Sequence, residues 1–153
     1  FRYLFVLQAF TKIYAVPGIR LGYGISSDKA LLERMETVRQ PWSVSTPAQA
    51  AGLSALKEDH REEQTRQLVK SERERMEKEL ENLRIEYIPS EANFLLFNSE
   101  INWFEELKKR GILIRDCANY RGLGNGWYRM AVRLPEENDR LLECMKQVLN
   151  ERS

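Results

Sequence analysis

The chain has 153 residues, a formal net charge of +1, and 42% hydrophobic and 31% charged residues. That is enough for one modest domain with its own core, and the near-neutral balance lacks the basic excess expected of a general nucleic-acid or membrane-surface protein. No apolar run reaches the length of a membrane span, and no secretory signal pattern opens the chain.

Residues 3–10 read as a hydrophobic strand that delivers Thr11 and Lys12. Arg20 follows eight residues later in a glycine-punctuated turn leading to a short strand over 20–26. Strand ends hold a reactive amine well, because the sheet fixes the backbone while the side chain reaches into a cleft. A lysine there can condense with an aldehyde, and a nearby arginine can grip a phosphate with two bonds. The same spacing suits a surface lysine and an ordinary turn arginine, and the residues alone leave both readings open. The chain opens at Phe1, without an initiator methionine, directly in this strand pattern. A strand so placed is expected to have neighbours in a larger sheet, as the C-terminal part of a longer protein would.

Asp28 is positioned to cap a helix over Leu31, Leu32 and Met35 that Pro41-Trp42 breaks. Ser45-Thr46-Pro47 then places a hydroxyl cap before a proline at a helix start, and the Ala-rich stretch 48–56 predicts a buried helix. Residues 60–83 are strongly charged, with a thin apolar line at Val69, Met76, Leu80 and Leu83. Glu62 with Arg66 and Glu74 with Lys78 suit four-residue pairing on a solvated helix. His60, the sole histidine, reads as a surface residue at its start.

Beyond this point strands are expected at 85–88, 93–97, 112–115 and 128–133. Ser99 would cap a helix over Trp103, Phe104 and Leu107 that closes at Gly111, and Pro135 would start a last helix with a stripe at Leu141 or Leu142, Met145 and Val148. The order predicts a two-layer α/β unit. If the strands on either side of loop 116–127 pair, Arg115 and Arg129 share one end of the sheet and can clamp a small dianion. Pairing of each with a neighbouring carboxylate, Asp116 or Glu136, fits the sequence equally well. Cys117 and Cys144 are too few for a disulfide framework or zinc site, so free thiols in a reducing cytoplasm are expected and no metal site.

The string Ala9-Phe10-Thr11-Lys12, followed by a turn, Gly18-Ile19-Arg20 and Gly22, resembles the lysine signature of pyridoxal-phosphate enzymes of the aspartate-aminotransferase fold type. The resemblance implies that Lys12 holds the cofactor covalently and shuttles protons, and that Arg20 and Thr11 bind its phosphate. Where the family often has Ser or Gly three residues before the lysine, this chain has Ala9, so one hydroxyl contact is expected to be absent. Pro41-Trp42-x-Val44-x-x-x-Ala48-Gln49 is similar to the branch near histidinol-phosphate aminotransferases, with Ser43 where that branch commonly has Asn.

Ile114-Arg115-Asp116-Cys117-x-Asn119-Tyr120-Arg121-Gly122-Leu123, with Tyr128-Arg129-Met130-Ala131-Val132-Arg133 and Pro135-Glu136-Glu137-Asn138, resembles the end of the threonine-phosphate decarboxylases of cobalamin biosynthesis. By position, Arg115 would bind the substrate phosphate and Arg129 its carboxylate. The resemblance implies an α/β chain that is the C-terminal portion of the pyridoxal-phosphate-dependent transferase fold: residues 1–58 from the end of the large domain, and 59–153 the two-layer α/β small domain. It implies a cytoplasmic homodimer when full length, acting on a small phosphorylated amino acid or amine. The leading expectation is decarboxylation of L-threonine O-3-phosphate, with this piece alone inactive. The alternatives are an aminotransferase of the histidinol-phosphate type and a non-catalytic binding module.

Overall fold

The computed structural model describes residues 3–58 and 60–152. The expected boundary at 58/59 falls on Asp59, which lies outside the described residues. Two compact units divide between Thr65 and Arg66.

In the first unit, β1 (Phe5–Ala9) and β2 (Gly22–Ser26) form an antiparallel ribbon with Phe5 opposite Ser26 and Ala9 opposite Gly22. The second strand starts later than its pattern suggested, because Pro17–Ile19 close a 3₁₀ turn and Arg20 takes a left-handed backbone, φ 58°. Helix α1 (Lys29–Val38) is capped as expected: Asp28 Oδ1 accepts from the Leu31 N–H at 2.9 Å. Helix α2 (Thr46–Ala55) is capped by Ser45, whose Oγ accepts from the Ala48 N–H. Its expected burial is narrower than the Ala-rich composition suggested. Only Ala48 and Gly52 are buried, and Leu53 and Leu56 are exposed. Gly52 packs closely under Leu21, whose Cδ2 lies 2.4 Å from where a Cβ would stand and would have to shift to admit one.

Helix α3 (Arg61–Asn82) enters the second unit, where β3 (Glu86–Ile88), β4 (Phe94–Asn98), α4 (Trp103–Lys109), β5 (Arg115–Asp116), β6 (Trp127–Ala131) and α5 (Pro135–Asn150) follow. The four strands form one antiparallel sheet in the order β3-β4-β6-β5. The alternation of β4 and β6 sends Leu95, Phe97, Tyr128 and Met130 to one face, where Met76 and Leu80 of α3, Trp103 and Leu107 of α4, and Leu141, Leu142, Met145 and Val148 of α5 close a dry core. The helical stripes are those the apolar spacing predicts. Glu74 meets Lys70 at 4.0 Å rather than Lys78. Helix α4 is capped by Asn102, whose Oδ1 accepts from the Glu105 N–H; Ser99 instead closes the preceding turn on the Ile101 N–H.

One feature of this unit has no counterpart in the apolar pattern. Glu72 and Arg73, on a helix whose composition reads as solvated, are buried, and so is Asn138. Arg75 grips the Glu72 carboxylate through Nε and Nη2 at 3.1 and 2.6 Å, and Asn138 Nδ2 donates to the same carboxylate at 2.7 Å. Asn138 also accepts from the Arg133 N–H and donates to the Arg133 carbonyl, which fastens α3 to the β6–α5 junction. The arginine holds the Glu72 carboxyl below the ordinary glutamate range.

Candidate functional site

Two groups of sequence-predicted site residues occur, one in each unit. Lys12 and Thr11 lie in the turn leaving β1. The ladder extends by one bond, from the Phe10 N–H to the Leu21 carbonyl at 3.1 Å, and the Ala15 N–H then closes a turn on the Lys12 carbonyl at 2.9 Å. Phe10, 3% exposed, anchors this turn. It stacks on Tyr14 at 4.8 Å and meets the Tyr23 ring edge at 5.9 Å. Tyr14 in turn donates its hydroxyl proton to Glu62 at 2.5 Å; that bond, with burial, pushes the phenol up to about 12. Sequence reasoning placed Glu62 in a surface ion pair and assigned no role to Tyr14.

The Lys12 side chain is exposed and makes no hydrogen bond or ion pair among the described residues. Arg20 donates from Nη1 to the Pro17 carbonyl at 3.0 Å. Ala15 and Arg20, at φ 54° and 58°, are two of the four non-glycine residues with a left-handed backbone among the described residues. A left-handed conformation costs an L-residue roughly 1–2 kcal/mol. Its occurrence twice in the short loop carrying Lys12 marks a place where the chain is held in a required shape.

The second group lies on the face of the four-stranded sheet that the helices leave uncovered. Arg115 and Arg129 are direct partners across β5 and β6. Because Tyr128 and Met130 point into the core, Arg129 and the residue opposite it point away from it. Leu96 is the next partner in the row, followed by Ile88. Like charges directly opposite in a sheet repel, and no carboxylate forms an ion pair with either arginine among the described residues. The reading in which each pairs with a neighbouring acid is therefore not the one observed. Asp116 instead accepts from the Ala118 N–H at 2.8 Å, within its own loop.

Each guanidinium is held by neutral groups. Arg129 sits over the Phe94 ring at 5.0 Å. Arg115 lies over the Tyr120 ring at 5.5 Å and donates from Nη2 to Asn119 Oδ1 at 3.1 Å. Cys117, between these elements, is buried, and burial pushes its thiol up while the charges of Arg129 and Arg115 pull it down. Asn119 and Tyr120 stand in the string that carries the resemblance, without a role assigned to either, and Phe94 carries no such signal. Phe94 is 35 positions from Arg129, and only the strand register brings the two together.

The donor set fits pyridoxal phosphate. Lys12 offers an uncommitted amine for an aldehyde, and Thr11 and Arg20, in the same connection between β1 and β2, offer a hydroxyl and a guanidinium for a phosphate.

The profile of the family described as Aminotransferase class I and II matches residues 2–144. The threonine-phosphate decarboxylase of Salmonella typhimurium is 39% identical over 151 residues, covering 96% of this chain and 42% of that protein. The crystal structure of the histidinol-phosphate aminotransferase from Clostridium acetobutylicum superposes with a TM-score of 0.91 at 32% identity, over 99% of this chain and 47% of that one. The histidinol-phosphate aminotransferase of Sinorhizobium meliloti, solved in complex with pyridoxal-5'-phosphate, shares the fold with a TM-score of 0.75 at 17% identity, over 99% of this chain and 42% of that one. The chain thus spans less than half the length of the relatives it matches. Its mixed α/β structure is that of the pyridoxal-phosphate-dependent aminotransferases, and the chain belongs to the aminotransferase class I and II family.

Proposed function

We propose that the chain is the C-terminal portion of a pyridoxal-phosphate-dependent enzyme that decarboxylates L-threonine O-3-phosphate. In this reading it works in the cytoplasm, as part of a homodimer, with residues 1–58 closing the cofactor domain and 59–153 forming the small domain. The observation that carries the reading is the Arg115–Arg129 pair: two cations set opposite each other with no acid paired to them among the described residues. Such a pair is stabilised by a ligand with two anionic groups, and a phosphorylated amino acid has them. The likeness to the Salmonella decarboxylase supports the choice of substrate.

Arg115 would hold the phosphate and Arg129 the carboxylate until it departs as carbon dioxide. Thr11 and Arg20 would hold the phosphate of the cofactor, and Lys12 would hold it covalently. Pyridoxal phosphate, when bound, supplies an electron sink for the pair left on the α-carbon. Lys12 Nζ, freed by the substrate amine, would hold the proton that returns to that carbon. Lys12, Arg20 and Arg129 together argue against a non-catalytic binding module.

A second reading, an aminotransferase of the histidinol-phosphate type, is supported by the Clostridium structure. There one anion pocket must accept both a phosphate and the side-chain carboxylate of glutamate. The full-length enzyme supplied with pyridoxal phosphate is expected to release carbon dioxide from L-threonine O-3-phosphate and to form no 2-oxoglutarate from glutamate. The opposite pattern identifies the aminotransferase.

A further inference from the structure

We propose that Asn119 is a positioning residue that aims Arg115 at a phosphate while leaving its charge unspent, and so sets the preference of the site for a doubly anionic ligand. The inference rests on the reading above, in which Arg115 meets the substrate phosphate. Arg115 lies on β5, a strand of only two residues at the edge of the sheet, where little packing restrains a long side chain. What restrains it is the loop that follows. The Tyr120 N–H closes a turn on the Cys117 carbonyl at 2.9 Å, which returns Asn119 and Tyr120 to the side chain four and five positions earlier. Asn119 Oδ1 takes one guanidinium N–H at 3.1 Å, and the Tyr120 ring lies under the guanidinium at 5.5 Å. The remaining N–H groups make no hydrogen bond among the described residues and can serve a ligand.

An aspartate at position 119 would aim the arginine equally well, with the same oxygen in the same place and a stronger bond. It would also neutralise the guanidinium before a ligand arrived. The neutral amide aims without neutralising, and it does so beside Arg129, whose equal charge makes an acidic partner the favoured choice on stability alone. The adjacent acid, Asp116, accepts from the Ala118 N–H and forms no ion pair with either arginine among the described residues. Stability and anion binding thus make opposite demands at position 119, and the residue found there satisfies binding.

The test compares Asn119→Asp, Asn119→Ala and Arg115→Ala in the full-length holoenzyme, with O-phospho-L-threonine as the ligand. Asn119 and Arg115 are both exposed, so all three proteins are expected to fold, and a thermal melt checks that they do. Asn119→Asp should weaken binding about tenfold or more. The loss should appear in KM with kcat little changed, and the melt should be unchanged or raised. Asn119→Ala, which loses aim but keeps charge, should fall between wild type and Asn119→Asp. Equal losses in the two variants would overturn the argument from charge. Unaltered affinity in Asn119→Asp, with a clear loss in Arg115→Ala, would overturn this proposal and leave the proposed function standing. Unaltered affinity in Arg115→Ala would instead remove the phosphate role of Arg115, and with it the reading on which the proposal rests.

Discussion

At the scale of single residues the proposed chemistry rests on a few cations without acidic partners among the described residues. Lys12→Ala should abolish nearly all turnover of the full-length enzyme and its covalent hold on the cofactor, since both the amine and the proton carrier disappear. Borohydride trapping followed by peptide mapping checks this, and cofactor trapped on another lysine would reassign the role. Arg20→Ala should act differently, weakening cofactor affinity while leaving the amine in place. Loss of one charge-assisted phosphate contact costs roughly 1.5–3 kcal/mol, about one to two decades in dissociation constant, readable by titration with pyridoxal phosphate. The strained backbone at Arg20 sharpens the expectation, because a residue held at φ 58° is in place for more than its hydrogen bond to Pro17.

At the scale of elements, the tie between α3 and the β6–α5 junction is the feature with the clearest dependence on pH. Glu72 is held below its ordinary range first by Arg75, with Asn138 also contributing, so its folded value lies below its unfolded one. A depressed carboxylate adds stability above its unfolded value, and that stability is lost as pH falls through the folded value. Glu72→Gln should therefore lower stability by roughly 1.5–3 kcal/mol near neutral pH, the range for hydrogen bonds to a charged group. The gap from wild type should close as the pH falls into and below the carboxylate range. Denaturant unfolding at several pH values tests this, and a gap that held constant down to strong acid would show that Glu72 acts without its charge. A second element-scale constraint lies in the turn before β6. Gly126, at φ +87°, accepts from the Ser99 N–H at 2.9 Å, and a Cβ there would meet the Ser99 carbonyl oxygen at 2.8 Å. Gly126→Ala joins a left-handed backbone to a backbone clash and should cost about 1–3 kcal/mol in the same assay.

At the scale of the whole molecule, the two units differ in how they are filled. The second carries a dry core from three helices and one sheet face, with Phe97, Trp103, Leu107 and Met145 fully buried. The first buries Phe10, Ala48 and Gly52 and leaves Leu7, Ile25, Val38 and Trp42 exposed. Phe97→Ala should remove about 3–5 kcal/mol from the unfolding of the second unit. In a calorimetric scan its transition should move down while any transition belonging to the first unit stays in place. No helix among the described residues is long and apolar enough to cross a membrane.

The sequence by itself determined the family and most of the elements, although the strand expected at 112–115 forms instead at Arg115–Asp116. Apolar spacing placed the core stripes of α3, α4 and α5, alternation placed the inward residues of β6, and Asp28 and Ser45 announced two helix starts. These signals are local, because a helix or strand writes its own period into the residues that form it. The strings around Lys12 and Arg115 carried the resemblance that the family match bears out. Only the tertiary structure decided the rest, since it depends on pairings between distant positions. That Arg115 stands opposite Arg129 follows from the register of β5 on β6, and that Phe94 supports Arg129 follows from the register of β4. Glu72 looks solvated in a charged helix until α5 lays Asn138 against it, 66 positions away. A charged side chain reads as surface in any local pattern, and burial with a partner is a property of the packed chain. The same reason hid the role of Asn119, which stands in the string that carries the resemblance: its contact with Arg115 exists only once the loop has turned back on the strand.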